Sequence, residues 1–347
     1  MGARKRKTSL WLPYLSNISI KGEKIFGEYK GGRFEEKLGD LGSVMIYGST
    51  CPLPEDVLEM TARYRIPVCF HRRNISNVVW INGGVQGSKN DLITKQILFR
   101  EDARKRLHIA RKLLEAKFKS MQWLTAFPPA LKPGMSIAAM RTLEAHHAKE
   151  YWKKYYAALG VEGTRRGQND VIRTVLDAVS KFTAGILLRW IAFHRLSPQH
   201  AYLHEPTDYP SLVYDLMEPY RGYIEKIVFN ALEYAISNDV DEKEWIGYAI
   251  AHVEDYLDEH VYVDATRQLV TFQELMHGSV LALRAYFLGE APRYILPIPG
   301  KPNGGRPSKV GYKLYGRQAG KQDFWEKSRT AHAKHKKRMA VKPALLS

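Results

Sequence analysis

Cysteine is nearly absent: Cys51 and Cys69 are the only two in 347 residues, and they form neither a CxxC pair nor the ligand spacing of a zinc site. A disulfide framework is thereby excluded, and a reducing compartment is the natural expectation. Long apolar runs are missing too, since no stretch approaches the ~18 residues of a membrane span. The first sixteen residues, "MGARKRKTSLWLPYLS", have a basic start without the apolar core of a signal peptide. A soluble, cytoplasmic protein with no membrane contact is expected. "GGRPSK" lacks the GK[ST] ending and the preceding strand of a phosphate-binding loop, and no GxSxG elbow or HExxH pair occurs. No repeat of solenoid period is present.

What the chain does have is positive charge at its ends. The formal net charge is +17, of which residues 291–347 carry +12, from fourteen Lys and Arg against Asp323 and Glu326. Arg4, Lys5, Arg6 and Lys7 supply four more, so the body between is nearly neutral. Basic arms of this kind neutralise phosphates. "KSRTAHAKHKKRMAVKP", with Lys334, Lys336, Lys337 and Arg338, suits a polyanion, and a purely solubilising tail is the alternative.

The hydrophobic pattern changes once along the chain. From 16 to 83, short apolar or alternating runs ("SNISIKG", "GSVMIYGS", "IPVCFHR", "SNVVWINGG") read as strands. "PLPEDVLEMTARYR" among them reads as a helix. "GGVQGSKND" is a Gly/Ser-rich connection, and from Leu92 to about Leu288 the period turns helical. Helices are expected over 102–124, 143–159, 171–194, 211–237, 242–260 and 272–288. The fold class is therefore α+β: a small β-rich domain at 1–88, a larger all-α domain at 89–290, and a basic Pro/Gly-containing tail at 291–347.

One segment stands apart, "YLHEPTDYPSLVYDLMEPYR". Asp215 and Glu218 lie i and i+3 on a helix and so share a face, where two like charges need a cation or strong donors between them. Pro219 removes an N–H and crowds the carbonyl of Asp215, so a kink or opening is expected there. His204 lies 11 residues before Asp215, in a loop able to fold back. A bound metal and an ordinary solvated acid pair are both open readings. In "MRTLEAHHAKEYWKKYY", Glu144, Ala148 and Tyr151 share one helix face, which makes Glu144 a further ligand candidate. Pairing of Glu144 with Arg141 or Lys149 is the structural alternative, and His146 and His147 compete as ligands. The acid-rich run "AHVEDYLDEHVYVD" is expected to face solvent.

These residues together resemble the CRISPR-associated integrase/endonuclease family, the first Cas protein (Cas-one). "LSPQHAYLH" followed by "LVYDLMEPYR" is similar to the family's paired histidine and Asp/Glu signature, and "TLEAHHAKEYW" to its first ligand motif. "RRGQNDVIRTVLDA" and "EAKFKSMQWL" match further family segments. Arg195 and Ala201 stand where the family favours glycine, and Arg173 where it favours asparagine. The resemblance implies an N-terminal domain that dimerises and a helical domain that carries a metal, Mg²⁺ or Mn²⁺, on Glu144, His204 and Glu218. Asp215 would act beside them as a fourth catalytic residue. It implies metal-dependent insertion of short DNA fragments into a CRISPR repeat array, with associated endonuclease activity. The partners would be double-stranded DNA with 3′-hydroxyl ends, repeat DNA and the small adaptation protein Cas-two. Arg165, Arg166, Arg221 and the tail cations Lys334, Lys336, Lys337 and Arg338 would contact DNA. A mobile-element integrase with the same site and a non-catalytic DNA-binding scaffold are the alternatives.

Overall fold

The computed structural model describes residues 7–49, 51–71, 78–81, 92–163, 165, 170–301 and 307–319. The N-terminal part is built on a four-stranded sheet of order β1-β5-β6-β7, formed by β1 (Thr8–Pro13), β5 (Leu41–Tyr47), β6 (Val68–His71) and β7 (Val78–Ile81). β5 runs parallel to both β1 and β6, and β7 closes the edge antiparallel. All seven residues of β5, LGSVMIY, are buried, as expected of a parallel strand covered on both faces. Between β1 and β5 the chain makes an antiparallel meander of β2 (Asn17–Lys21), β3 (Lys24–Tyr29) and β4 (Gly32–Lys37). α1 (Glu55–Arg63) provides the crossover from β5 to β6. Cys51 and Cys69 are both free.

The helical part comprises α2 (Leu92–Glu101), α3 (Ala103–Ser120), α4 (Ile137–Ala158), α5 (Val171–Phe193), α6 (Ser211–Ser237), α7 (Trp245–Leu257) and α8 (Phe272–Leu288). Local signals set their starts. Asp102 caps α3 by accepting from the amides of Arg104 and Lys105, and Asp170 caps α5 through the Arg173 amide. Ser136 caps α4 about two turns before the expected start, just past the Pro133-Gly134 turn. α5 is apolar around most of its circumference because it is the central helix. It touches α6, α7 and α8, and its Gly185 faces Ser43 and Trp80 of the N-terminal sheet. α6 runs through Pro219 without interruption, so the expected opening does not break the helix.

Two expectations are corrected. The helical part is not all-α: β8 (His260–Val263), β9 (Gln268–Thr271) and β10 (Gly316–Gln318) form an antiparallel sheet beside α8. The expected 242–260 helix ends at Leu257, because HVYV alternates with β-branched residues and a turn with Arg267 at φ 57° follows it. Nor is the whole of 291–347 a tail. Tyr294, Leu296, Val310 and Leu314 are buried, and the Tyr220 hydroxyl donates to the Pro297 carbonyl at 2.9 Å. Among the described residues no helix is long and apolar enough to cross a membrane.

Candidate metal centre and DNA cleft

The site is assembled where α3, α4 and α6 meet the loop that joins α5 to α6. That loop is held from two sides. Gln96 of α2, fully buried, donates to the Ser197 and His200 carbonyls at 2.8 Å each and accepts from the Ser197 amide. Asp215 of α6 receives the other side. Its Oδ2 accepts from the Tyr202 and Leu203 amides at 2.6 and 2.9 Å, and its Oδ1 from the His204 amide at 3.1 Å and His204 Nδ1 at 2.7 Å. A carboxylate offers about four acceptor positions, and all four are used. Asp215 is therefore the bracket that shapes 202–204 and orients the imidazole.

With Nδ1 committed to Asp215, the ligating atom left to His204 is Nε2, the arrangement in which a carboxylate fixes a histidine's tautomer. Burial pulls the His204 imidazole down, but the Asp215 hydrogen bond and the charges of Asp215, Glu218 and Glu144 outweigh it and raise it above the ordinary value.

Glu218, one turn along α6, is 2% exposed and Glu144 of α4 is 16% exposed. Both put an oxygen on one cation, the Nζ of Lys117 from α3, at 2.5 Å in the case of Glu218 Oε2. The Lys117 ammonium pairs in charge with this buried oxygen. Arg221 approaches the other Glu218 oxygen at 3.4 Å. Burial alone would push Glu218 up; Arg221, Lys117 and His204 bring it down to about 2 instead. Burial likewise works against the Lys117 ammonium, and Glu218 and Glu144 hold it above the usual lysine value.

Two carboxylates and an imidazole nitrogen in one locality are a donor set that fits Mn²⁺ or Mg²⁺. The set is arranged around Lys117 rather than closed, and among the described residues no three His, Cys, Asp or Glu side chains stand at metal-holding distances. The partner of Glu144 is neither Arg141 nor Lys149. His147 is turned onto Thr125 and Phe118, and His146 onto the Thr142 carbonyl, so neither competes as a ligand.

Beside the acid pair lies a cleft of ≈ 1030 Å³ between α4, α5 and α6. Its wall includes the neighbours of Glu144 (Ala145, Ala148) and of Glu218 (Met217, Arg221), and Lys149 and Lys153 add positive charge. Arg165 lines the same cleft, paired with Asp177 at 2.5 Å and stacked over Trp152 at 5.4 Å. Of the expected DNA contacts, Arg166, Lys334, Lys336, Lys337 and Arg338 lie outside the described residues. Lys117, Gln96 and Arg106, which holds the Tyr202 carbonyl at 3.1 Å, were not singled out by sequence. The signal available for Lys117 was its place on the otherwise apolar side of α3, where Leu113, Leu114 and Phe118 are buried.

An acid pair neutralised by a buried lysine and a partly exposed arginine, next to a cleft where Lys149, Lys153, Arg165 and Arg221 outnumber Glu162 and Glu225, is suited to handling phosphate groups. The family model described as CRISPR associated protein Cas1 matches residues 14–130 and 124–245, well over half of the chain. The chain belongs to the Cas1 family. Among solved structures, it is similar to a CAS1 protein from Thermotoga maritima, at 19% identity and a TM-score of 0.67, over 86% of this chain and 100% of that one. A casposase bound to integration product matches at 17% identity and a TM-score of 0.68, over 93% and 99%. The chain in a TtCas1–DNA complex matches at 15% identity and a TM-score of 0.60, over 90% and 99%. These likenesses carry the fold. A search of curated sequences gave no match. Family membership supports a CRISPR-associated role of the integrase type.

Proposed function

We propose that the chain catalyses metal-dependent transesterification of DNA, inserting short fragments into a CRISPR repeat array, and that hydrolysis at the same site nicks DNA. The observation that carries this reading is the convergence of Glu144 and Glu218 on one cation position beside an imidazole pinned by Asp215. Glu144, Glu218 and His204 Nε2 would hold one Mg²⁺ or Mn²⁺, which supplies Lewis-acid polarisation of a phosphoryl oxygen and favours the deprotonated form of a hydroxyl nucleophile.

The chain's own residues do the rest. Asp215 keeps the His204 proton on Nδ1, leaving Nε2 as donor of its lone pair. Arg221, at the cleft wall, balances Glu218 and presents positive charge to a phosphodiester. In the reaction the 3′-oxygen of a fragment forms a bond to a backbone phosphorus and the former 3′-oxygen of the target strand leaves with the proton. Bond number is conserved, so no nucleotide triphosphate is required. Pairing of two N-terminal sheets into a homodimer and bridging by Cas-two belong to the same proposal.

The test incubates purified chain with a short duplex bearing 3′-hydroxyl ends and a repeat-containing plasmid, with and without Mn²⁺. Glu218→Gln and His204→Ala should lose strand transfer while duplex binding persists. Wild-type integration by either variant overturns the site. Equal insertion into a plasmid without the repeat points to a mobile-element integrase instead.

A further inference from the structure

Lys117 has a more specific task than neutralising acids. Its position is set by a close contact between α3 and α6. The backbone of Gly222 in α6 lies against Ser120 in α3 so tightly that a Cβ would stand 2.5 Å from the Ser120 carbonyl carbon and oxygen. The Gly222 amide donates to Ser120 Oγ at 3.1 Å. Lys117 is one turn before Ser120 and Glu218 one turn before Gly222, so the contact that locks the helices together also delivers the ammonium to the acid. The side chain is 4% exposed, with Nζ on both Glu144 and Glu218.

The charge on the two glutamates is already balanced. Glu144 and Glu218 contribute two negative charges, and Lys117 and Arg221 return two positive ones. A divalent ion bound to these oxygens needs bonds of about 2.0–2.2 Å. Lys117 Nζ already stands 2.5 Å from Glu218 Oε2. The ammonium lies between Glu144 and Glu218, in the space an ion held by both acids would take, and two cations in that space repel strongly out of water. Loading therefore has to be an exchange.

Resting on the function proposed above, we infer that Lys117 is the resident counter-cation of this site, displaced when the divalent ion binds and then presented to the phosphodiester of the DNA. Displacement leads towards Glu144, the more exposed of the two acids, whose helix neighbours Ala145 and Ala148 line the cleft wall. A lysine's four-carbon stem allows that movement without moving the helix. The ammonium that has given up two carboxylates finds its next anion in a DNA phosphate, so metal and DNA binding reinforce each other, each raising the affinity for the other by the same factor. Lys117 is thus a positioning residue that links loading to substrate.

The experiment maps the reactivity of Lys117 in the full chain towards an amine acylating reagent at pH 8, by peptide mass spectrometry. Labelling should be negligible without divalent ions, rise severalfold with Mg²⁺, and fall again when a short duplex is added. In parallel, calorimetry measures Mn²⁺ binding to wild type, Lys117→Met and Glu218→Gln. Lys117→Met should bind at least tenfold more tightly than wild type, and Glu218→Gln should lose binding. Labelling unchanged by Mg²⁺, with equal Mn²⁺ affinity in wild type and Lys117→Met, overturns the exchange and leaves the proposed metal site standing. Labelling that rises with Mg²⁺ but is indifferent to duplex overturns the phosphate contact. Absence of Mn²⁺ binding by both proteins removes the metal site and the exchange together. Should Lys117→Met not fold, the labelling arm decides, since it uses the wild-type chain.

Discussion

His204 and Asp215 form a single structural unit, joined at 2.7 Å between Nδ1 and Oδ1 and again through the His204 amide. The carboxylate is fully buried and saturated by donors, so its charge is spent on shaping the loop.

Asp215→Asn turns one acceptor oxygen into a donor facing buried N–H groups. Stability should fall by about 3–5 kcal/mol, because bonds to a charged group are lost and amides are left unpaired. The raised His204 imidazole contributes stability that is full below its ordinary value and lost as pH rises through its folded one. The gap between wild type and variant, read from urea midpoints, should therefore narrow as pH rises. Mn²⁺ affinity should drop ~10–100-fold through the misdirected imidazole. A variant as stable and as tight as wild type removes Asp215 from the bracket role.

Gly222→Ala forces a methyl into the Ser120 backbone. No flexible side chain is available to move aside, so α3 and α6 must separate. A loss of about 2–3 kcal/mol is expected, together with loss of strand transfer, since Lys117 and Glu218 lie on the parted helices. Unchanged denaturation midpoints would show that the helices tolerate the spacing.

Glu225, buried one turn beyond Arg221, is pushed up to about 7 by burial, against the pull of Arg221; its Oε2 and the Tyr151 hydroxyl both lack an aligned partner. The folded chain therefore holds a proton that the unfolded chain releases between an ordinary 4.5 and about 7. Stability conferred by the neutral acid is full below 4.5 and lost as pH rises through 7. Glu225→Gln removes that loss, so relative to wild type it should gain up to about 3 kcal/mol between pH 4.5 and 8. Parallel stability profiles for the two proteins would refute the buried neutral acid.

Arg195 has φ 59°, and the Leu196 amide reaches the Ile191 carbonyl while the Arg195 amide reaches that of Ala192. This is the glycine position that ends a helix in a Schellman turn. Arg195→Gly should therefore stabilise the chain by about 0.5–1 kcal/mol, as relief of left-handed strain exceeds the added freedom of the unfolded state. A lower melting temperature would contradict it.

Removing residues 327–347 takes away Lys327, Arg329, Lys334, Lys336, Lys337, Arg338 and Lys342. If half of them meet phosphates, the slope of log K against log salt should flatten by roughly 3 units. An unchanged slope assigns DNA affinity to the cleft.

The chain's own pattern determined the order of its parts. Short alternating runs before residue 83 became strands, and the 3.6-residue period after Leu92 became helices, because each is a local property of neighbouring side chains. The pairing of His204 with Asp215 was legible for the same reason, since loop and helix lie 11 residues apart. The family resemblance could further indicate that glycine is favoured at 195. Three things were decided only in space. The β8-β9-β10 sheet depends on Gly316–Gln318 returning some fifty residues later to pair with Gln268–Thr271, and no local period encodes such a return. The segment 291–318 looked like tail by composition, yet Tyr294 and Leu314 bury against helices that the sequence places far away. Lys117 reads as one more cation on a basic helix, and only the close approach of Gly222 to Ser120 turns it inward between Glu144 and Glu218. A buried charge is stable only where its partners converge, and convergence of three helices is a property of the packed fold.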